Sequence, residues 1–145
     1  MSEFFTQELA QAPDLLALAA QSPARFPALL QSSQVQGWDI LFALPSEIRR
    51  YAAGDGAVFV RDLAALPQQA PIASALPFHG GWVFYAGYEL LEHFEPSVPS
   101  RTMDGYADFP LGALIRCPAA VLLQRETQTT TLLAETPELL QQLQQ

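Results

Sequence analysis

The order of apolar and polar residues changes period several times along the 145 residues, and each change marks an element. Residues 13–21, PDLLALAAQ, set Leu15, Leu16 and Leu18 among alanines behind a proline suited to a first helical turn, which predicts a short amphipathic helix. The runs ALLQSS (28–33) and WDILFALP (38–45) are short and nearly contiguous, and they predict two strands. Alternation on both sides of Gly54-Asp55-Gly56 in EIRRYAAGDGAVFVRDL predicts a hairpin over 47–63, because glycine removes the steric cost of a positive φ in a tight turn. DLAALPQQAP predicts one or two helical turns stopped by Pro67 and Pro71, since proline lacks the donor a helix needs. GGWVFYAGY (80–88) reads as a strand, and PSVPSRTMDGYADFP (96–110) reads as an exposed loop without a period. Three strand-like runs follow, LGALIRC, AAVLLQRET and TTTLLAE, the last two joined as a meander. TPELLQQLQQ then opens a helix at Thr136 and Pro137. The class is α+β: a mainly antiparallel sheet with a few short helices packed on it, in one domain over 1–145.

Composition narrows the function classes. Half of the residues are hydrophobic and 15% are charged, which is the composition of a folded chain. A domain of this length buries roughly 70% of the surface its unfolded chain exposes, so a sizeable core is available. The net charge of -8 arises from 15 acids against 7 arginines, with no lysine, so no basic stripe exists for a nucleic acid backbone. Cys117 is the single cysteine, which excludes an intrachain disulfide and a multi-cysteine zinc site. The opening MSEFFTQELAQ is acidic where a signal peptide is basic, and no apolar run approaches the roughly 20 residues of a membrane span. A cytoplasmic protein is expected.

The stretch LPFHGGWVFYAGYELLEHFE (76–95) concentrates the candidate chemistry. Gly80 and Gly81 are not followed by the Gly-Lys-Ser/Thr of a phosphate loop, so they read as glycines that admit close approach of a neighbouring backbone. Glu89, Glu92 and Glu95 recur every three residues. On a helix starting near Gly87 they form either a solvated face or a cluster for a divalent cation, without the histidine partner of a zinc or di-metal helix. His79 is a general base by type, but its apolar neighbours and the lack of a paired nucleophile make it read as a structural histidine. Cys117 reads as a small buried thiol, with Arg116 directed to the opposite strand face. In LLQSSQVQGWD, Ser32 and Ser33 end one strand while Trp38 and Asp39 begin the next. This combination fits either a pocket for a small aromatic ligand or an ordinary hairpin with turn serines.

In order, FPALLQSS, GWDILFALP, LPFHGGWVFYAGYELLEHFE and DFPLGALIRCPAAVLLQRETQTTTLL resemble the N-terminal region of component I of aminodeoxychorismate (para-aminobenzoate) synthase, and more distantly that of anthranilate synthase. The resemblance runs from about Phe26 to Leu133. It departs from the family at Phe84, where a glycine is usual, at Glu89, where an aspartate is common, and in a short loop between Ser32 and Trp38. It implies that Pro77, Phe78, Gly80, Gly81, Gly87, Tyr88, Phe94 and Glu95 are a structural signature and that the chain holds no catalytic residue, metal ligand or cofactor. Magnesium and the catalytic groups belong to a C-terminal catalytic domain of which this sequence shows nothing, so a fragment of a longer protein is expected. The family converts chorismate, with ammonia from a glutamine amidotransferase component II, to 4-amino-4-deoxychorismate in folate biosynthesis. LLQSS lacks the Leu-Leu-Glu-Ser glutamate of tryptophan-regulated anthranilate synthases, which favours the aminodeoxychorismate branch. The resemblance further implies a tryptophan site that includes Ser32, Val35, Gln36, Gly37 and Trp38. A free-standing small-molecule binding module is the alternative. Removal of a packed catalytic domain predicts a homodimer through the uncovered surface, with LGALIRC or AAVLLQRET contributing.

Overall fold

A computed structural model describes residues 3–95, 97 and 109–145. The elements run β1 (Phe5–Leu9), α1 (Leu15–Gln21), β2 (Ala28–Leu30), β3 (Trp38–Ala43), β4 (Glu47–Tyr51), α2 (Gly56–Ala64), β5 (Gly81–Ala86), a 3-10 turn (Tyr88–Leu90), α3 (Leu91–Phe94), β6 (Gly112–Cys117), β7 (Ala119–Gln124), β8 (Thr129–Ala134) and α4 (Pro137–Leu143). This is the α+β class with mostly antiparallel strands and short helices. The described residues fall into two compact units. One comprises the chain up to Ser46 with Ile72–Trp82 and Arg116–Gln145, and the other comprises Glu47–Pro71 with the described part of Val83–Ile115.

The first unit is an antiparallel sheet in the order β1-β8-β7-β3-β2. Alternation divides its core between two faces. Leu41, Ala43, Val121, Leu132 and Ala134 meet Leu15 of α1, Phe26 and Leu143 of α4, whereas Ala120, Leu122 and Leu133 meet Trp38, Ile40, Leu76 and Phe78. The central strand β7 is therefore buried on both sides, which is why AAVLLQ reads as a continuous apolar run. Asp14 Oδ1 caps α1 by accepting from Ala17 N at 3.1 Å, and Thr136 Oγ1 caps α4 by accepting from Leu139 N at 3.2 Å. The far end of α4 is closed by Arg25, whose Nη2 donates to the Gln142 carbonyl at 2.6 Å. Strand β1 has no counterpart in the sequence reading. Its three central residues face solvent, so FTQEL carries almost no amphipathic signal.

The second unit contains a three-stranded sheet in the order β4-β6-β5. Here the predicted hairpin over 47–63 is corrected: β4 is a strand, but the return segment is the helix α2. Gly54, at φ +95°, makes the turn as expected. Asp55 then accepts from Ala52 N through its carboxylate at 3.0 Å, and its carbonyl accepts from Phe59 N at 2.9 Å. Gly56 and Phe59 are buried three residues apart, a helical spacing that the alternation of AVFV masks. Phe59 stacks edge-on against Tyr51 with centroids 5.0 Å apart, and the Tyr51 hydroxyl donates to Asp62 at 2.8 Å. The helix stops at Ala64, ahead of Pro67. Apart from Ser97, Phe109 and Pro110, the loop predicted over 96–110 lies outside the described residues. Strands β6 and β7, the expected contributors to a dimer, are both interior to their sheets and offer no free edge. Among the described residues no helix is long and apolar enough to cross a membrane.

Candidate functional site

The polar centre of the first unit is built from Asp39, Arg125 and the connection between β2 and β3. Asp39 follows Trp38 at the start of β3 and pairs in register with Leu123 of β7, so its carboxylate is carried into the sheet with only 3% of the residue exposed. A carboxylate so buried needs partners. Arg125, just past the end of β7, provides them: Nη1 donates to Asp39 Oδ1 at 3.1 Å and Oδ2 at 3.2 Å, and also to the Ser32 carbonyl at 2.8 Å. Its backbone N–H donates to the Gly37 carbonyl at 2.9 Å. From the other side Ser32 N donates to Asp39 Oδ1 at 2.8 Å. The Ser32 hydroxyl donates to the Gln36 carbonyl at 3.1 Å and accepts from Gln34 N at 3.2 Å. One ion pair thus pins both ends of the connection.

Ser32 and Gly37 meet in this knot, and Gly37 holds a φ of +109°. Trp38 is drawn away, onto the Ala120, Leu122 and Leu133 face. Val35 is 84% exposed and approaches none of that core. The sequence reading placed Ser32, Trp38 and Asp39 together but missed Arg125. The available signal was an aspartate inside the apolar run WDILFA, which demands a cation on a neighbouring strand.

The signature segment forms a second polar junction. Phe78 packs edge-on against Phe42 with centroids 5.0 Å apart, and Pro77 leads into it from the surface. Gly80 is buried at φ +92°, with Glu135 directly over its α-carbon. Arg116 ties the segment down: it donates to Glu135 Oε1 at 2.5 Å, and to the Gly81 and Cys117 carbonyls at 3.2 Å each. His79 stacks on Phe4 with centroids 4.9 Å apart, and its Nε2 is buried. In the second unit, Gly87 donates to the Leu111 carbonyl at 2.8 Å, and a β-carbon on Gly87 would come within 2.8 Å of that same oxygen. Tyr88, Phe94 and Glu95 are exposed. Glu92 lies 3.5 Å from His93, and among the described residues no group of three His, Cys, Asp or Glu side chains is placed to hold a metal ion.

Cys117 is fully buried, and its thiol is pushed up to about 11 from an ordinary 9.0 by loss of solvation, against the opposing pull of Arg116. The unfolded chain releases this proton first as pH rises. The contribution is therefore complete below pH 9 and is lost as pH climbs toward 11. Iodoacetamide at neutral pH is expected to label Cys117 only as fast as the protein opens, and labelling at the rate of a free thiol would contradict this burial.

A cavity of about 720 Å³ opens at the end of β3 remote from Ser32 and is lined in part by Arg25, Leu44, Pro45, Arg116, Glu135 and Leu139. Leu44 there holds a φ of +56°, a left-handed conformation costly for leucine. A second cavity, of about 440 Å³, is lined by Phe26, Val121 and Leu132 among others. Neither includes a residue of the Ser32 to Trp38 connection. No protein-family model and no curated protein matches the chain.

Proposed function

We propose that this chain acts as the non-catalytic N-terminal domain of an aminodeoxychorismate synthase component I, a scaffold for a chorismate-converting domain supplied with ammonia by a glutamine amidotransferase. One observation carries the reading: the segments that bear the resemblance are packed together. LLQSS and WDILFALP supply the adjacent strands β2 and β3, AAVLLQRE supplies β7 beside β3, and PFHGG packs on β3 through Phe78 and Phe42. The residues at the junctions, Asp39 with Arg125 and Arg116 with Glu135, stabilise this packing. Magnesium chemistry falls to the partner domain.

The proposed tryptophan role of Ser32, Val35, Gln36, Gly37 and Trp38 requires the connection to open, because the N–H, carbonyl and hydroxyl of Ser32 are all engaged within it. That site is completed by the catalytic domain. The test combines purified chain with the catalytic domain of an aminodeoxychorismate synthase component I prepared without its own N-terminal domain. The chain alone, given chorismate, ammonia and magnesium, is expected to form no product. The mixture is expected to form a complex of higher turnover than the catalytic domain alone, which L-tryptophan stabilises and Ser32→Ala renders insensitive. Product from the chain alone, or no complex, would overturn the scaffold reading.

The 720 Å³ cavity, with two guanidinium groups and the strained Leu44 at its wall, favours a second reading as a free-standing small-molecule binding module. That reading expects a saturable melting shift of the chain alone with a small organic carboxylate, abolished by Arg25→Met.

A further inference from the structure

We propose that the outer edge of β4 is a pairing surface for a second copy of this chain, centred on Ile48. The inference rests on β4 alone and is independent of the family reading. Among the described residues strand β4 has a single neighbour, β6, and Glu47, Ile48, Arg49 and Arg50 are all exposed, Ile48 by 44%. Among the described residues nothing pairs with its other edge. A strand in this condition is a template for another strand unless its side chains forbid it.

Among the registers centred on Glu47, Ile48, Arg49 or Arg50 the side chains select one arrangement. Antiparallel partners share a face of the sheet, and a two-fold axis normal to the sheet leaves each side chain on its own face. Two identical strands so related pair only in registers centred on a residue. Centring on Glu47 opposes two glutamates, centring on Arg49 opposes two Arg49 side chains, and centring on Arg50 opposes two Arg50 side chains; like charges directly opposite are destabilising. Centring on Ile48 places Ile48 against Ile48, Glu47 against the second copy's Arg49, and Arg49 against the second copy's Glu47. Within one copy Arg49 and Glu47 already lie on the same face, joined at 2.5 Å, so pairing sets this same charge complementarity between the copies. The other free edges carry no such code. Strand β1 has Glu8 as its only charge, and β2 and β5 have none.

The test is sedimentation velocity over a concentration series on the full chain, Glu47→Arg, Arg49→Glu and their equimolar mixture, with circular dichroism confirming each fold. The wild type is expected to dimerise, and each single variant to weaken the dimer by about tenfold or more as like charges meet across the axis. The mixture is expected to form a heterodimer with affinity within about threefold of the wild type. In it the arginine introduced by Glu47→Arg faces the glutamate introduced by Arg49→Glu, and the unchanged Arg49 of the first variant faces the unchanged Glu47 of the second. Rescue in trans cannot come from the pair inside one copy. Where a single variant fails to fold, the double variant E47R/R49E poses the same question, since its swapped charges are again complementary. A wild type that stays monomeric, singles that dimerise as well as the wild type, or a mixture without rescue would each overturn the proposal, and none of them bears on the scaffold reading.

Discussion

Arg125→Met is expected to lower the free energy of unfolding by about 3 kcal/mol, the low end of what breaking a buried ion pair costs. The methionine keeps the apolar stem of the side chain but removes the cation that holds Asp39, whose carboxylate stays buried with Ser32 N as its remaining donor among the described residues. The figure sits at the low end because the Arg125 side chain is 31% exposed, and water entering from that side solvates part of the abandoned charge. For a chain of this length the melting temperature falls by about 10 °C. Asp39→Asn keeps an acceptor for Ser32 N and leaves a partly solvated guanidinium, so its expected cost is smaller, about 1 kcal/mol. The pair D39N/R125M should then lose less than the sum of the two single losses, since the unpaired buried charge that dominates Arg125→Met is gone. Urea unfolding of the four proteins measures the cycle. Strict additivity would show that Asp39 reaches water and that the ion pair does not hold the connection. Arg125→Met also frees the Ser32 carbonyl, so faster amide exchange at Gln34 should accompany the loss.

The chemistry of that knot was half legible. Asp39 announces itself as a charge inside an apolar strand, but Arg125 lies 86 residues away, and only the pairing of β3 with β7 brings the two together. Sequence periodicity is local information, and register between distant strands is not. The same limit explains β1, whose pairing with β8 is the longest-range contact in the sheet and whose exposed face hides its strand character. Where local chemistry suffices, sequence and structure agree: Thr136 and Pro137 open α4, and the apolar runs of β3, β7 and β8 form strands. The α2 segment went astray because GAVFVRDL satisfies both periods, and the buried Phe59 under Tyr51 decides for the helix. The glycine pair stands out in the sequence, but nothing local says which of the two takes the left-handed conformation against Glu135.

Geometry separates the two. Gly81 has a φ of +159°, at the edge of the region that side chains rarely adopt, and a β-carbon there would meet Phe78 Cε2 at an ordinary 3.6 Å, so Gly81→Ala is expected to cost backbone strain alone, about 1 kcal/mol. Gly80 has a φ of +92°, where a β-branched residue is strained by about 1–3 kcal/mol, and its β-carbon would lie 2.8 Å from Glu135 Cδ. A glutamate tip normally swings aside at little cost, but this one is held by Arg116 at 2.5 Å, and the same guanidinium holds the Gly81 carbonyl. Displacing it sacrifices a partly exposed ion pair of about 1 kcal/mol. Gly80→Val is therefore expected to cost about 3 kcal/mol in all, with Gly80→Ala intermediate. The two causes separate in the background Glu135→Ala, where the ion pair is already lost and the space is open. There Gly80→Val should cost only the backbone strain, about 1 kcal/mol less than in the wild type. Equal costs in the two backgrounds would show that Glu135 yields freely, and equal costs for Gly80→Ala and Gly81→Ala would show that Gly80 demands glycine no more than Gly81 does.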